Sequence, residues 1–266
     1  MNRFFLKFVL LNMISITIIG TGNIATHLFD AFMMYDNLKV IQVVGRSKNS
    51  LCYFSSKIDT CLISEKIKKA EIYIIAVSDD SIPEVSNYLQ GYDALVVHTS
   101  GSVPIINLSK NKKKGVFYPL QSFTKGKKVN FKTIPICIEA TNKNDYELLK
   151  NIAETISDAV YKISSEQRKH LHLAAVFANN FTNYMYTVAN DICEENKISF
   201  EILKPLIAET VLKIEKISPF EAQTGPARRN DIETMQRHLE QLTTKEKKNI
   251  YKLLSEAIQK KYGKEL

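Results

Sequence analysis

The chain has 266 residues, of which 45% are hydrophobic, so it can bury a large core. Its length exceeds the usual size of one compact domain, and we expect two. The four cysteines lie far apart, with no CxxC pair and no histidine at metal-ligand spacing. This pattern argues against a zinc site or a disulfide framework and favours reduced thiols in the cytoplasm.

The chain carries a formal charge of +8, and its lysines outnumber its arginines by thirty to six. Lysine clusters can bind polyanions, but no aromatic residues alternate with them and no nucleic-acid motif is present. We therefore expect no nucleic-acid partner. The excess of lysine also makes the position of each arginine more informative, because only arginine offers oxyanions a planar fork of donors.

Residues 1–13 are basic and then apolar, which weakly imitates a signal peptide. The apolar run continues into residues 14–19, Lys7 interrupts it, and no small-residue cleavage site comes before the first strand. It is also too broken to span a membrane. We interpret residues 1–12 as an N-terminal extension, with Met13 as an alternative start, and we expect no membrane partner.

Seven short β-rich runs alternate with helical stretches between residues 14 and 163. They are nearly continuous in Ile and Val, as expected for strands covered on both faces. This rhythm predicts an α/β fold with a mostly parallel, doubly wound sheet. The predicted strands are 14–19, 40–44, 71–77, 94–98, 115–118, 134–139 and 159–163.

After Ser164 the pattern becomes purely helical. Ser164 and Gln167 have the spacing of a capping box, which predicts the start of a helix that runs to about Glu195. Further helices are predicted over 199–217, 230–242 and 244–262. We therefore divide the chain into an α/β domain, residues 1–164, and an all-α domain, residues 165–266.

A glycine-rich turn, Gly20-Thr21-Gly22-Asn23-Ile24-Ala25, follows the first predicted strand and precedes an amphipathic segment, residues 27–34. This is the context that the Rossmann dinucleotide fingerprint requires. The first glycine permits the tight turn, and the second lets backbone amides approach a pyrophosphate at the positive helix terminus. The turn predicts a dinucleotide site that includes Gly20, Thr21, Gly22, Asn23 and Ile24.

Gly45-Arg46-Ser47 stands at the end of the second predicted strand, where an NAD enzyme places Asp or Glu on the ribose hydroxyls. A guanidinium and a hydroxyl suit a dianionic 2′-phosphate instead, so we predict NADP as the cofactor, bound by Arg46 and Ser47. The alternative is a surface arginine in a turn. Val77 and Ser78 complete the predicted cofactor site, and Asp79 or Asp80 is expected to cap the next helix.

Five segments of the chain form a recognisable set: GTGNIATHL at 20–28, VHTSGS at 97–102, FYPLQSF at 117–123, SEQRKHLHLAAVFANNFTNYMY at 165–186 and AQTGPARRND at 222–231. From Ile14 onward the chain resembles a family of Rossmann-like NADP oxidoreductases defined by sequence, whose helical second half is a domain of unknown function. The resemblance implies a more distant similarity to pyrroline-5-carboxylate reductases and the 6-phosphogluconate dehydrogenase-like group. In those proteins a nucleotide domain precedes a helical dimerisation domain, which implies a homodimer here.

In the related dehydrogenases, the helix after the nucleotide domain borders the nicotinamide. At about 100° per residue, His172, Asn179, Asn180 and Asn183 share one side of this helix. We predict that His172 donates a proton during hydride transfer and that Asn180 and Asn183 orient the substrate. The alternative is that these polar groups tie the helices of a dimer together. The helix lacks the lysine that hydroxyacid dehydrogenases of the group place there, which argues against their reaction.

Two polar segments follow predicted strands at the carboxyl edge of the sheet, where open α/β sheets bind ligands. In the first, His98 to Ser102, His98 is either a second acid–base group or a strand-end histidine satisfied by backbone, and Ser100 is a predicted substrate contact. In the second, Tyr118 to Ser122, we predict that Gln121 or Ser122 contacts the substrate.

The helical half has a break at Gln223-Thr224-Gly225-Pro226, which is followed by two of the six arginines. We predict that Thr224 contacts the substrate and that Arg229, or Arg228, binds a substrate carboxylate. The alternative is a turn in which Asp231 caps the next helix.

Together these features predict an NADPH-dependent oxidoreductase that reduces a small carboxylate-bearing ketone or imine between its two domains, without a metal. The alternative, from a different class, is a nucleotide-binding sensor or scaffold without turnover, because no catalytic lysine or Ser/Lys pair is recognisable. A deazaflavin-dependent reductase fits less well, because Arg46 suits an adenosine phosphate.

Overall fold

The computed structural model describes residues 13–108 and 110–263. The predicted N-terminal extension, residues 1–12, lies outside the described residues. The chain divides into two compact units, the first ending at Val176 and the second beginning at Phe177. The predicted boundary after residue 164 is where the pattern becomes helical, and the first compact unit continues into the helix that follows.

The first unit is built on an eight-stranded sheet. Its strands are β1 Ile14–Ile19, β2 Leu38–Gly45, β3 Thr60–Leu62, β4 Ile72–Ile75, β5 Leu95–His98, β6 Lys113–Pro119, β7 Ile136–Ala140 and β8 Val160–Lys162. The spatial order is β3-β2-β1-β4-β5-β6-β7-β8. All neighbours are parallel except β6 and β7. The predicted Rossmann-type, mostly parallel sheet is confirmed.

The sequence predicted seven of these strands and missed β3. This strand has three residues and pairs with residues 43–45 of β2. Three residues are too few to show the alternation or the apolar run by which a strand is recognised. Because β3 was missed, no position was predicted for the segment that follows it. That segment contributes to the site described below.

Helices cover both faces of the sheet, as the doubly wound pattern requires. Ile18 packs in one core with Leu28 and Phe32, and Ile75 packs in the other with Leu89. The helices of this part of the chain are α1 Asn23–Phe32, α2 Lys48–Ser55, α3 Ile82–Asn87 and α4 Lys143–Ile156.

The helix predicted after Ser164 runs without interruption to Glu195. It consists of α5 Ser165–Ala175, a π-helical segment Val176–Phe181 and α6 Thr182–Glu195. The predicted capping box starts it: Ser164 Oγ accepts from the Gln167 amide at 3.2 Å, and Gln167 Oε1 accepts from the Ser164 amide at 3.0 Å. The π-helical segment was not predicted, and it alters the rotation of every residue that follows it.

The second unit contains the remaining predicted helices. Residues 200–203 form a 3₁₀ turn, followed by α7 Lys204–Ile214, α8 Pro219–Ala222, α9 Ile232–Gln241 and α10 Lys245–Tyr262. Over residues 177–263 only four side chains are buried: Cys193, Ala227, Met235 and Lys247. Within the two described ranges of the chain, no helix combines the length and the hydropathy needed to cross a membrane.

Candidate functional site

The turn after β1 has the geometry of a phosphate-binding loop. Gly20 has a φ of +126°, and a Cβ at this position would lie 2.0 Å from the Ala76 carbonyl oxygen. Gly22 is the N-cap of α1, with extended backbone and open space on the side where a Cβ would stand. The first turn of α1 therefore presents its free amides to an unobstructed volume, which suits an anionic group.

A cleft of about 690 Å³ opens over this turn and the carboxyl ends of β1, β2 and β4. It brings together most of the predicted cofactor residues. From that prediction the lining includes Gly20, Thr21, Gly22, Asn23, Ile24, Arg46, Val77 and Ser78. Ser47 is not among the lining residues. Its Oγ accepts from the Ser50 amide at 3.3 Å and caps α2.

The lining residues without a predicted role include Ile63, Glu84, Val85 and Tyr88. Ile63 follows the missed strand β3, and the other three lie on or directly after α3. Because α3 has only six residues, its pattern was too short to show which side faces the sheet edge. Arg46 is exposed and forms no hydrogen bond or ion pair with any residue the structure describes.

Ser78 precedes a short 3₁₀ turn, Asp79–Ser81, that leads into α3. The prediction that Asp79 or Asp80 caps this helix is wrong, since no side chain caps either turn in this described segment. Asp79 Oδ2 instead accepts from Ser102 Oγ at 2.5 Å. Asp79 thus bonds to the loop after β5 and not to a backbone amide of its own turn. Sequence spacing alone does not reveal this long-range partner.

His98 is fully buried at the end of β5. Its Nδ1 accepts from the Ser100 amide at 3.2 Å, as in the backbone-bonded alternative, whereas the buried Nε2 has no hydrogen-bond partner among the described residues. Burial, and then the charge of Arg168, lower its pKa to about 3. The imidazole is therefore neutral near pH 7 and is not the imidazolium that acts as a general acid.

Ser100, a predicted substrate contact, is also buried. Its Oγ accepts from the amides of Ser102 and Val103 at 3.1 and 3.0 Å. The hydroxyl oxygen thus shapes the turn after β5 and brings Gly101 toward α5.

Three segments meet at His172. Its Nδ1 lies 3.0 Å from the Tyr118 hydroxyl at the end of β6. Gly101 packs closely against both side chains: a Cβ at this position would lie 2.6 Å from His172 Nδ1 and 2.8 Å from Tyr118 Cζ. Tyr118 belongs to the FYPLQSF segment, and no role was predicted for it. Its partner is 54 positions away in the sequence, so no local pattern could have shown this contact.

Gln121 and Phe123 continue the segment after β6 into the cofactor cleft. The Phe123 carbonyl accepts from Asn23 Nδ2 at 3.0 Å, which ties this segment to the start of α1. The chain that carries Tyr118 therefore also borders the nucleotide turn. Gln121, a predicted substrate contact, lies where these two features adjoin.

The long helix places its polar residues differently from an ideal α-helix. His172 is half-buried, whereas Asn179, Asn180 and Asn183 are exposed. The π-helical segment, residues 176–181, separates His172 from Asn183, so an angle computed at 100° per residue does not apply across it. π-helical turns are often found at functional sites, and the roles predicted for Asn180 and Asn183 remain predictions.

In the second unit, two neighbouring arginines after α8, Arg228 and Arg229, differ in their contacts. Arg228 Nη1 donates to the carbonyls of Phe220, Glu221 and Gln223, and the guanidinium lies over the Tyr262 ring. Asp231 caps α9 by accepting from the Thr234 amide at 3.1 Å, as the alternative interpretation expected. Arg229 is exposed, as is Thr224, the predicted substrate contact.

Comparison with known proteins gives these observations a context. A family model, domain of unknown function DUF2520, matches residues 134–258. BF3122 from Bacteroides fragilis, a candidate NADP oxidoreductase, is 37% identical to the chain; the alignment covers 94% of this chain and 99% of that one, with a TM-score of 0.85. The chain therefore belongs to the same family as BF3122, and its residues 134–258 match the DUF2520 model.

Other solved structures share the fold of this DUF2520 protein at much lower identity. The reductive aminase from Aspergillus terreus, in complex with NADPH and ethyl levulinate, has a TM-score of 0.70 at 12% identity, covering 94% of this chain and 95% of that one. The NADP-bound pyrroline carboxylate reductase of Plasmodium falciparum has a TM-score of 0.62 at 15% identity, covering 94% and 97%. A comparison with curated proteins found no match.

Proposed function

We propose that this DUF2520 protein is an NADPH-dependent reductase of a small ketone or imine that carries a carboxylate. The observation that carries the proposal is the meeting of two features at the end of β6. Gln121 lines the cleft over the glycine turn, and Tyr118, three positions earlier, holds the imidazole of His172. The names of BF3122, the reductive aminase and the pyrroline carboxylate reductase support the same class of reaction.

The cleft fits NADPH in shape and in charge. A side chain at Gly22 would meet no atom within 4 Å, so the volume beside the first turn of α1 is free for a pyrophosphate. The exposed guanidinium of Arg46 stands at the end of β2, where it can bind a 2′-phosphate. The carboxylate in the lining, Glu84, comes from α3 and not from the position at which NAD enzymes bind the ribose hydroxyls.

NADPH, when bound, supplies the hydride, and we assign the proton to His172. Nδ1 of His172 is occupied by the Tyr118 hydroxyl, so Nε2 is the nitrogen left for the substrate oxygen or nitrogen. A hydroxyl can donate to the neutral ring or accept from the protonated ring, so the contact can persist in both states. Burial raises the pKa of Tyr118 to about 12, which keeps the phenol neutral near pH 7.

Substrate contacts are proposed for Gln121, Asn180, Asn183, Thr224 and Arg229. Arg229 suits a carboxylate better than Arg228 does, because three carbonyls already accept from Nη1 of Arg228 and its guanidinium lies over the Tyr262 ring. An arginine that is exposed and free to form two parallel hydrogen bonds can select for a carboxylate.

We also propose that the protein is a homodimer. The second unit buries four side chains among residues 177–263, too few for a stable core. The unit instead exposes large apolar side chains: Phe177, Phe181, Ile198, Ile202, Leu206, Val211, Leu212, Ile214 and Ile217. Apolar surface on this scale indicates an interface, and a second copy is the proposed occupant.

The reaction is tested with purified protein, NADPH and a panel of small oxo acids, each with and without an amine, by following nicotinamide absorbance. His172→Gln should lower kcat by about 100-fold or more and leave the Kd of NADPH within twofold. His170→Gln is the matched control, because His170 lies two positions away and is exposed. Tight binding of NADPH without its oxidation by any compound would favour the sensor alternative.

Cofactor choice is tested by calorimetric titration of Arg46→Ala. Loss of charge-assisted hydrogen bonds to a 2′-phosphate should weaken NADPH binding by about tenfold or more. NADH, which lacks this phosphate, serves as the internal control and should bind the variant as it binds the original protein. Equal losses for both cofactors would place Arg46 elsewhere on the nucleotide.

A further inference from the structure

Arg168 heads the fully buried side chains of the described residues when these are ranked by volume. Arginine is rarely buried completely unless its donors are paired. Here the burial is deep within the first unit, one helical turn before His172 on α5. No role was predicted for Arg168, although it stands inside the SEQRKHLH segment.

The guanidinium joins three parts of the fold. Nη1 donates to Glu139 Oε2 on β7 at 2.5 Å, and Nη2 donates to the Val103 carbonyl at 2.5 Å. Ser165, at the start of α5, extends this network: its Oγ donates to Glu139 Oε2 at 2.8 Å and accepts from the Ile105 amide at 3.0 Å. A strand, the loop after β5 and the long helix are therefore held by one side chain.

The position of the Val103 carbonyl is what links this network to the site. Val103 lies two residues after Gly101, and Gly101 packs against His172 with no space for a Cβ. Ser100 Oγ, which accepts from the Val103 amide, makes the intervening turn rigid. Any movement of α5 relative to this loop would therefore change the contact between His172 and Gly101, and Gly101 also packs against Tyr118.

We infer that Arg168 is a positioning residue, which holds α5 and the Gly101 loop at the separation at which His172 meets Tyr118. This inference rests on the proposed function of His172 as the proton donor. A buried charge is costly, and a well-packed apolar side chain would often stabilise a fold equally well. An apolar side chain could not hold both a carboxylate and a carbonyl at fixed positions, because only the planar fork has separate donors for them.

The test compares Arg168→Met with Lys169→Met, which removes a charge from an exposed neighbour on the same helix. The first readout is the ¹⁵N NMR signals of the His172 ring, with Tyr118→Phe as the reference for loss of the contact at Nδ1. Arg168→Met should move these signals toward those of Tyr118→Phe, and Lys169→Met should leave them unchanged. Unchanged signals in folded Arg168→Met would overturn the inference.

The second readout is kinetic. Because misplacement of a catalytic group by about 1 Å can cost about 100-fold in rate, Arg168→Met should lower kcat by about 10- to 100-fold. The Kd of NADPH should stay within twofold, since Arg168 does not line the cofactor cleft. Equal losses in kcat and in NADPH binding would indicate general damage to the fold and contradict a positioning role.

Two further variants apply if Arg168→Met does not fold. Arg168→Lys keeps the charge without the fork, and Glu139→Gln keeps an acceptor without the charge; both should displace the His172 signals partially. Unmoved signals in both would overturn the inference. The NMR readout needs no turnover, so displaced signals in a protein that reduces no substrate would support the role of Arg168 and defeat the proposed reductase.

Discussion

Gly20 and Gly22 stand two positions apart and lack side chains for different reasons. Gly20 is required by the protein itself, because its φ of +126° and the nearby Ala76 carbonyl oxygen exclude any Cβ. Gly22 has an ordinary φ of −76° and open space around it, so the folded protein would tolerate alanine at this position. The absence of a side chain at position 22 is therefore explained by a bound ligand and not by the backbone conformation or packing of the protein.

Paired substitutions separate these two roles. Gly22→Ala should keep the melting temperature of the original protein and weaken NADPH binding by about tenfold or more, because the new methyl group would occupy space proposed for the pyrophosphate. Gly20→Ala should destabilise the protein by about 3 kcal/mol or more, because strain and a clash coincide. Thermal unfolding and calorimetry measure both effects. Unimpaired NADPH binding by Gly22→Ala would place the pyrophosphate elsewhere.

The buried His98 makes stability depend on pH. Its pKa falls from the ordinary 6.5 to about 3 on folding, so the unfolded chain binds more protons than the folded chain between these values. The stability present above pH 6.5 is therefore lost as the pH falls, at about 1.4 kcal/mol per pH unit. Between pH 6.5 and pH 5 we expect a loss of about 2 kcal/mol from this group.

Urea unfolding of His98→Asn tests this dependence, since the amide oxygen of asparagine can still accept from the Ser100 amide. The variant should lose most of the slope in this pH range. His170→Asn, which changes an exposed histidine, should keep the slope. A slope that is the same in all three proteins would mean that His98 is not the group responsible.

Residues that could be predicted from the sequence are those whose reason is local. The cofactor turn was recognised because its glycines, its strand and its helix lie within one short segment. Tyr118 and Arg168 were given no role, because their partners His172 and Val103 lie 54 and 65 positions away. Asp79 was misjudged for a related reason: several bonding partners compete for a polar side chain, and the sequence does not rank them.

At the scale of elements, the long helix shows what a pattern can and cannot predict. Its start was predicted because Ser164 and Gln167 interact within four residues. Its length followed from an uninterrupted helical pattern. The π-helical segment, residues 176–181, changes the hydrogen-bond register without a breaking residue, and so it left no mark in the sequence.

Ser164→Ala tests how much the capping box contributes to the start of α5. Loss of a side-chain cap should lower the free energy of unfolding by about 1 kcal/mol. Lys169→Ala, on the exposed side of the same helix, is the control and should change stability by less than about 0.5 kcal/mol. If both variants unfold at the same urea concentration as the original protein, the sheet contacts and not the cap determine where α5 begins.

At the scale of the whole molecule, the two units differ in how they reach stability. The first unit buries nearly every residue of its central strands. The second unit buries four side chains in its described part, residues 177–263, while whole faces of its helices remain apolar and exposed. A helical unit of this kind depends on packing against another surface, because isolated helices are marginal in water.

Sedimentation equilibrium tests the proposed homodimer. The protein should sediment at about twice the chain mass of 30.3 kDa. A double variant, Leu206→Glu with Leu212→Glu, places two charges on α7 and should shift the mass toward one chain and lower the melting temperature. Ile106→Glu, at an exposed position of the first unit, should do neither. A single-chain mass for the original protein at all concentrations would contradict the proposal.

The small number of buried side chains in the second unit also affects the rate at which the proposed homodimer would form. The first unit has its own core, so its folding is a first-order process that can follow directly on synthesis. In the proposed homodimer, the helices from Phe177 onward would complete their core only when two chains collide, so this step would be second order and would slow on dilution. Until two chains meet, the exposed apolar side chains of α7, among them Leu206 and Leu212, would stay accessible to other proteins.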